Sequence, residues 1–449
     1  MPAPAAQPAM PSLPAQNPFL GSTPSGQVSP GVLKLTLLDA IDRGLKYNLG
    51  LLLSSAQTDA ARGARWKALA DVVPNLNGRV AESFQQINTA QFGFRIPGLP
   101  SIIGPFAVFD SRATATEDLS LRGLKNLRAS NENVKAAEQT ARNARELVVL
   151  AVGGVYLQAI AAQARMESAQ AELTTAQTLF RQASDMKTAG VVAGIDVLRA
   201  QVEMHAEQQR LVFAQNESAK SLLTLGRVIG LPAAQQYELA DKLPYQPAQP
   251  LTLDQALARA YEARSDYQAL LSQVRAAELN KQAAEAEWFP SLNLSADYGF
   301  LGNQPGGALG TYTVAGGIRI PIFQGGRVKG DVMQADSALR QRRAEAENMR
   351  GQIEYEVRSA MLDVQAAAQQ VEVAQQASQL AAEQLKQSQD RFAAGVAGNL
   401  EVVQSQQALV TASENYINAL NAHNVAKLLL TRALGVAETR VKEYLRGLP

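Results

Sequence analysis

Side chains able to do chemistry are sparse in this chain of 449 residues. It has two histidines, His205 and His423, and no cysteine. Thiol catalysis, disulfides, CxxC metal sites and any three-histidine centre are therefore excluded, as is a lipid on an N-terminal cysteine. No nucleophile elbow, phosphate loop or zinc motif occurs. Nothing in the pattern locates a concave site with converging titratable groups, so an enzyme is not expected. Two carboxylates do recur at one spacing: Asp196 stands six residues after Gly190, and Glu401 six residues after Gly395. The helix dipole favours an acid in a first turn, which explains such a residue without further function. His205 and His423 have no counterparts in the other half of the chain and are read as incidental.

The composition narrows the partners. With 42 Lys and Arg against 41 Asp and Glu, the net charge of +1 indicates no charge-driven nucleic-acid partner. Charged residues make up 18 %, against about 25 % in soluble domains. Part of the surface is expected to meet something other than bulk water. Residues 1–33, rich in Pro and Ala, read as a disordered linker. No positive charge precedes Lys34 and no apolar run is continuous there. Either a secretory signal was removed or the chain is not exported. The uncharged stretch 147–164 has the length of a spanning helix, but Gln158 and Gln163 interrupt it. Its counterpart carries Glu354, Glu356, Arg358 and Asp363, so a bilayer helix is not expected.

That counterpart exists because the chain matches itself. Leu35-Thr36-Leu37 through Pro74-Asn75-Leu76-Asn77 aligns with Leu251-Thr252-Leu253 through Pro290-Ser291-Leu292-Asn293. Ala189-Gly190-Val191 aligns with Ala394-Gly395-Val396 at an offset of 205, as do Leu225, Arg227 and Gly230 with Leu430, Arg432 and Gly435. The sequence divides into a first repeat over 34–232, a linker over 233–250, a second repeat over 251–436 and a tail over 437–449. The fold class is mainly α with a small β portion: two tandem repeats of helix, β-hairpin, very long helix and helix.

Period-two alternation marks the second hairpin. Leu292, Leu294, Ala296, Tyr298 and Phe300 alternate with Asn293, Ser295, Asp297 and Gly299; Tyr312, Val314, Gly316 and Ile318 alternate with Thr311, Thr313, Ala315 and Gly317. The first hairpin is blurred, with Leu76, Gly78 and Val80 on one face, a loop near GFRIPGLPSIIGPF, and a poorly patterned return strand over 106–121. The Pro-free stretches 126–187 and 328–393 each read as one helix of roughly 60 residues, or about 90 Å. Val148, Val152, Val155, Ala159, Ala162 and Met166 begin a heptad seam that the second half repeats from Ile353.

An apolar strand face of Leu292, Leu294, Tyr298, Phe300, Tyr312, Val314 and Ile318 suits a wall between lipid and water. Tyr298, Phe300, Tyr312 and Phe106 fall where an interfacial aromatic belt belongs, while Trp288 and Phe289 are expected to fill a seam at the helix-to-strand junction. Arg319, Asp297, Asn293 and Arg79 alternate onto the wet side. Four strands cannot close a barrel, which needs about eight, so several chains would have to share one. A hairpin packed on a soluble core, within a periplasmic coiled-coil scaffold, is the alternative reading.

Two LTL starts, EAEWFPSLNLSADYG, GGIRIPIFQGGRV and the breaks TAGVVAGIDVLRAQ and AAGVAGNLEVVQSQ together resemble the outer-membrane efflux protein family, the TolC-like channels, over about residues 33–436. The resemblance implies a homotrimer, with a twelve-stranded transmembrane β-barrel in the Gram-negative outer membrane continued by a periplasmic α-helical barrel. It implies a passive export duct, part of a tripartite efflux or type I secretion system, that docks on a periplasmic adaptor and through it on an inner-membrane pump. By the same resemblance, Ala189, Gly190, Val191, Ala394, Gly395 and Val396 are adaptor-contacting tips, and Asp196, Glu401 and Gln404 line the periplasmic aperture. The sequence departs from the family pattern at Gln404, where an acid is expected, and at Phe392 and Ala397, where a polar latch of Tyr and Arg is expected. No cofactor is implied, and the cargo is not legible.

Overall fold

The computed structural model describes residues 17–26, 28, 31–93, 98, 100–243, 245–247 and 251–444. Along the chain come β1 (Leu33–Leu35), α1 (Leu37–Tyr47), α2 (Leu49–Ala70), β2 (Asn75–Asn88), β3 (Ile102–Leu119), α3 (Leu121–Thr188), α4 (Gly194–Val228) and β4 (Tyr237–Leu239). Then follow α5 (Leu253–Ala263), α6 (Ser265–Glu285), β5 (Ser291–Gly302), β6 (Leu309–Arg319), α7 (Arg327–Ala393), α8 (Asn399–Ala433) and α9 (Ala437–Tyr444). The protein is thus mostly helical with a small strand portion. Residues 1–56, 139–268 and 348–449 make up one compact unit, and residues 57–138 and 269–347 a second.

In the first unit, each Leu-Thr-Leu motif is a helix start. The Thr36 hydroxyl accepts from the Asp39 N–H at 3.2 Å while the Thr36 N–H donates to Asp39 Oδ2 at 3.2 Å. Thr252 and Gln255 form the same reciprocal box at the head of α5, which satisfies two otherwise orphaned donors. Leu37, Ile41, Val148, Val152, Leu225 and Ile229 share one apolar core, and Ala256, Ala260, Ile353, Val357, Leu430 and Leu434 share another. Both begin from the heptad seam read in the sequence. The buried stripe later drifts: Leu179 and Ala183 are buried where Phe180 is half-buried, because a straight helix of 3.6 residues per turn gains about 20° per heptad.

Buried polar nodes tie distant segments into this unit. The Asp241 carboxylate accepts from the Tyr156 hydroxyl at 2.7 Å and the Leu37 N–H at 2.8 Å. Arg264, 3 % exposed, pairs with Asp266 at 2.6 Å and with Glu356. Three segments read in the sequence as linkers or tail also hold ordered structure in this unit. Residues 17–25, expected within a mobile linker, pack instead: Phe19 lies against the first core, its carbonyl accepts from Asn48 Nδ2 at 2.7 Å, and the Thr23 N–H donates to the Tyr47 carbonyl at 2.9 Å. The segment 233–250 holds β4, which pairs in parallel with β1, Leu33 opposite Tyr237. The tail contains α9, whose Ala437 N–H donates to Glu146 Oε2 at 2.7 Å. In each case hydrogen-bond partners far away in sequence hold the stretch in place. Residues 1–16 and 445–449 lie outside the described residues.

The second unit is built on one antiparallel sheet in the order β2-β3-β5-β6. The return strand β3, poorly patterned in sequence, is 18 residues long and is central, paired on both sides. It begins inside the expected loop, and its Gly104 and Pro105 fall where the β2 register slips between Gln85 and Ile87, a position that tolerates Pro. Helices below the strands are cross-linked by surface ion pairs, Lys281 to Asp336 at 2.9 Å and Arg343 to Glu278 at 2.6 Å. The largely buried Glu287 carboxylate joins the starts of α3 and α7, meeting Arg122 at 2.8 Å and Arg327 at 2.7 Å.

Candidate functional site

Two places carry the residues singled out by sequence: the sheet of the second unit and the interhelical turns of the first. In the sheet, residues directly opposite one another share a face. Leu292 pairs with Ile318, Leu294 with Gly316, Ala296 with Val314 and Tyr298 with Tyr312. Leu119, Ala115 and Ala113 of β3 stand opposite Leu292, Ala296 and Tyr298, and Leu76, Gly78 and Val80 of β2 complete the row. All seven strand residues expected on the apolar side are exposed, and Leu76, Val80, Phe84 and Val314 are 73 to 79 % exposed. The face is largely apolar, interrupted by Glu82 of β2 and Glu117 of β3, and most of its large apolar side chains are exposed. Phe106 departs from expectation: it pairs with Gln85 and so falls on the opposite face. Trp288 and Phe289, at the junction before β5, stand more than half exposed within the chain.

The other face is polar. Asn293, Asp297 and Arg79 lie on it as expected, and Arg319 stands opposite Ser291 at its base. Sequence reading missed its centre, Arg112 of β3, which pairs with Asp110 at 3.2 Å and with Asp297 of β5, and lies near Thr311 of β6. Gly299 faces Arg112 across the strands. A Cβ there would fall 2.8 Å from Arg112 Cα and 2.5 Å from the Ser111 carbonyl oxygen, so glycine is required by the close approach. The alternation of Arg112 with Ala113 was the available signal, hidden by the blurred pattern of β3.

The two turns have one geometry. Gly190 and Gly395 take φ of +74° and +73°. Val191 N–H donates to the Met186 carbonyl at 2.9 Å and Gly190 N–H to that of Lys187 at 2.9 Å; Val396 and Gly395 repeat this on Arg391 and Phe392 at 3.1 and 3.0 Å. This is a Schellman ending, which satisfies the last helical carbonyls and needs a left-handed residue. Ala189, Gly190, Val191, Ala394, Gly395 and Val396 are all exposed.

Asp196 opens α4 and meets Arg199 at 3.4 Å; Glu401 opens α8 and meets Arg391 at 3.4 Å; Gln404 is exposed with no acid beside it in sequence. Each acid thus has one arginine beside it within the chain. The structure joins the two turns through a residue not singled out: buried Asn399 donates to the Asp196 carbonyl at 2.8 Å. Phe392, at the latch position, is buried among Leu179, Ala183, Leu385 and Val402, an apolar filling in place of a polar bond. Among the described residues no group of His, Asp and Glu could hold a metal ion. One helix, α3, has a stretch long and apolar enough to cross a membrane, and 56 % of that stretch is buried inside the protein.

A wall with a bare apolar side and a charged side, together with exposed small-residue turns ending very long helices, agrees with the relatives. The family described as outer membrane efflux protein matches residues 112–231 and 253–436. The chain is 23 % identical over 403 residues to the pyoverdine export outer membrane protein OpmQ of Pseudomonas aeruginosa, covering 88 % of this chain and 84 % of that protein. It is 24 % identical over 412 residues to the probable efflux pump outer membrane protein TtgC of Pseudomonas putida, covering 89 % and 82 %. The solved outer-membrane channel OprN superposes with a TM-score of 0.75 at 19 % identity over 92 % of this chain and 98 % of that one. VceC of Vibrio cholerae does so with a TM-score of 0.76 at 19 % identity over 89 % and 96 %. These structures speak to the fold, and the family match spans well over half of the sequence: the chain belongs to the outer membrane efflux protein family, the TolC-like channels of the Gram-negative outer membrane.

Proposed function

We propose that three copies of this chain close one twelve-stranded barrel, each supplying four strands, and form a passive duct continued by the long helices. The observation that supports this reading is the sheet. Its apolar face is bare, and β2 and β6 each have one neighbour among the described residues. In lipid an unpaired backbone group costs several kcal/mol, so these edges need partners, and the identical edges of further copies provide them. The two repeats then supply equivalent halves of a ring. The exposed turns around Gly190 and Gly395 meet a periplasmic adaptor, whose helices approach closely because Ala189, Val191, Ala394 and Val396 are small. Asp196, Glu401 and Gln404 line the aperture at that end, with charge reduced by Arg199 and Arg391. The buried Phe392 leaves no polar latch to hold the aperture shut.

Transport through such a duct needs no covalent chemistry; an inner-membrane pump supplies the energy and selects the cargo. The names of relatives at nearly equal identity support that division, one being a pyoverdine exporter and another a toluene efflux protein. Purified protein reconstituted in planar bilayers is expected to give long-lived conductance steps and to run as a trimer by native mass spectrometry. A water-soluble monomer silent in bilayers would instead establish the coiled-coil scaffold.

A further inference from the structure

Helix α4 buries two carboxylates that its packing does not require. Glu203 and Glu207, one turn apart, are 7 % and 0 % exposed. Each has one satisfied oxygen: Arg210 donates to Glu207 Oε1 at 2.6 Å, and Gln407 of α8 donates to Glu203 Oε2 at 3.3 Å. The remaining oxygens, Glu207 Oε2 and Glu203 Oε1, are shut off from solvent and have no hydrogen-bond partner. A buried acceptor without a donor is unstable as it stands. The offset of 205 places alanine at both equivalent positions, Ala408 and Ala412, and again at Ala377 opposite Glu172 of α3. Helix α8 reaches the same 35-residue length as α4 without these acids. The carboxylates are therefore an addition of the first half and not a demand of the helical frame.

The charged groups around the pair come from three helices. Arg165 and Glu172 of α3, Arg210 and Glu217 of α4 and Glu414 of α8 line an adjoining cleft of about 360 Å³. Arg165 is occupied by Asn418 at 2.7 Å, and Glu217 by Lys220 at 3.1 Å. Acids outnumber the free cations, yet no trio of them is arranged around a metal ion among the described residues. A proton on one of the two carboxyls is the cation that supplies a donor where the buried oxygens have none.

We propose that Glu207, buried one turn from Glu203, carries a proton in the folded protein, and that this proton fastens α4 to α3 and α8. Burial pushes Glu207 up to about 7; Arg210 opposes this, and Glu172 and Glu203 reinforce it. Loss of the proton to water leaves two enclosed negative charges one turn apart, which drive the helices around the cleft apart. The site is a proton sensor in the helical part of the molecule, and it stands whether or not the barrel is trimeric.

Infrared difference spectroscopy on the purified full-length protein tests this. A protonated-carboxyl band is expected to persist at about pH 6, where an ordinary Glu is ionised, and to vanish by about pH 8. Glu207→Gln should remove the band, and Glu372→Gln, on an exposed position of α7, should leave it. Hydrogen exchange over residues 200–212 should accelerate between those pH values beyond the intrinsic rate, and the double variant Glu203→Ala, Glu207→Ala should abolish the acceleration. That variant carries the alanines of the other half, and the wild-type spectrum stands even if a variant fails to fold. A carboxyl band that disappears below about pH 5, or one unchanged in Glu207→Gln, overturns the proposal. Binding of calcium alone at about pH 8 that both variants lose also overturns it, in favour of a metal site.

Discussion

At the scale of single residues, left-handed glycines with nearly the same φ do different work. Around Gly190 and Gly395 a Cβ would meet nothing within 4 Å, so the turn asks only for the backbone conformation. At Gly435, φ +70°, a Cβ would fall 2.7 Å from the Arg264 backbone nitrogen. Gly190→Ala is therefore expected to cost about 1–2 kcal/mol of strain, whereas Gly435→Ala adds a backbone clash and should cost roughly 3–5 kcal/mol; chemical unfolding of the two variants gives the ordering. Replacing Gly190 and Gly395 together by Trp should abolish adaptor-dependent export while trimers remain in the membrane, and unchanged export would remove the turns from the docking site. Tyr156→Phe deletes the hydroxyl whose one proton is shared between Asp241, at 2.7 Å, and the Leu35 carbonyl, at 2.9 Å. It should cost about 1.5–3 kcal/mol, since one lost bond is to a buried charge. Equal stability in urea titrations would show that Asp241 is satisfied from elsewhere.

At the scale of elements, α8 carries its own acid sensitivity. His423 is fully buried, neither ring nitrogen has a partner, and burial followed by the charge of Lys427 pulls it down to about 4. The folded ring is neutral, while the unfolded one gains a proton below its ordinary value of 6.5. Its contribution to stability is therefore whole above about 6.5 and is lost as pH falls towards 4, up to roughly 3 kcal/mol. Exchange of the amides over 419–431 should quicken across that window in the wild type and stay flat in His423→Leu. The sequence showed the heptad seam, the second hairpin and both turns because each is a local pattern of residue types. It did not show β3 as a full strand. Glu117 interrupts the apolar row, and Ala113 and Ala115 barely signal it, so the strand becomes legible only when paired with β2 and β5. Nor could it show Asn399 reaching Asp196, or Asp241 reaching Tyr156, since those bonds join residues 203 and 85 positions apart.

At the scale of the whole molecule, the absence of cysteine lets the proposed lipid wall be measured directly. Single cysteines at Leu294 and Val314 are expected to resist a charged water-soluble maleimide in liposomes and to be quenched by lipid-borne nitroxide. Cysteines at Asn293 and Thr313, one residue along each strand, should behave in the opposite way. Equal labelling at all four would place both faces in water. The bare margins of β2 and β6 also bear on biogenesis. A newly made copy presents two strand edges to whatever it meets first, and on the trimeric reading proposed above the correct neighbour is another newcomer. Maturation should therefore be a race whose yield climbs steeply with the supply of sister chains, and scarcity during synthesis would leave orphans for the proteases of the envelope.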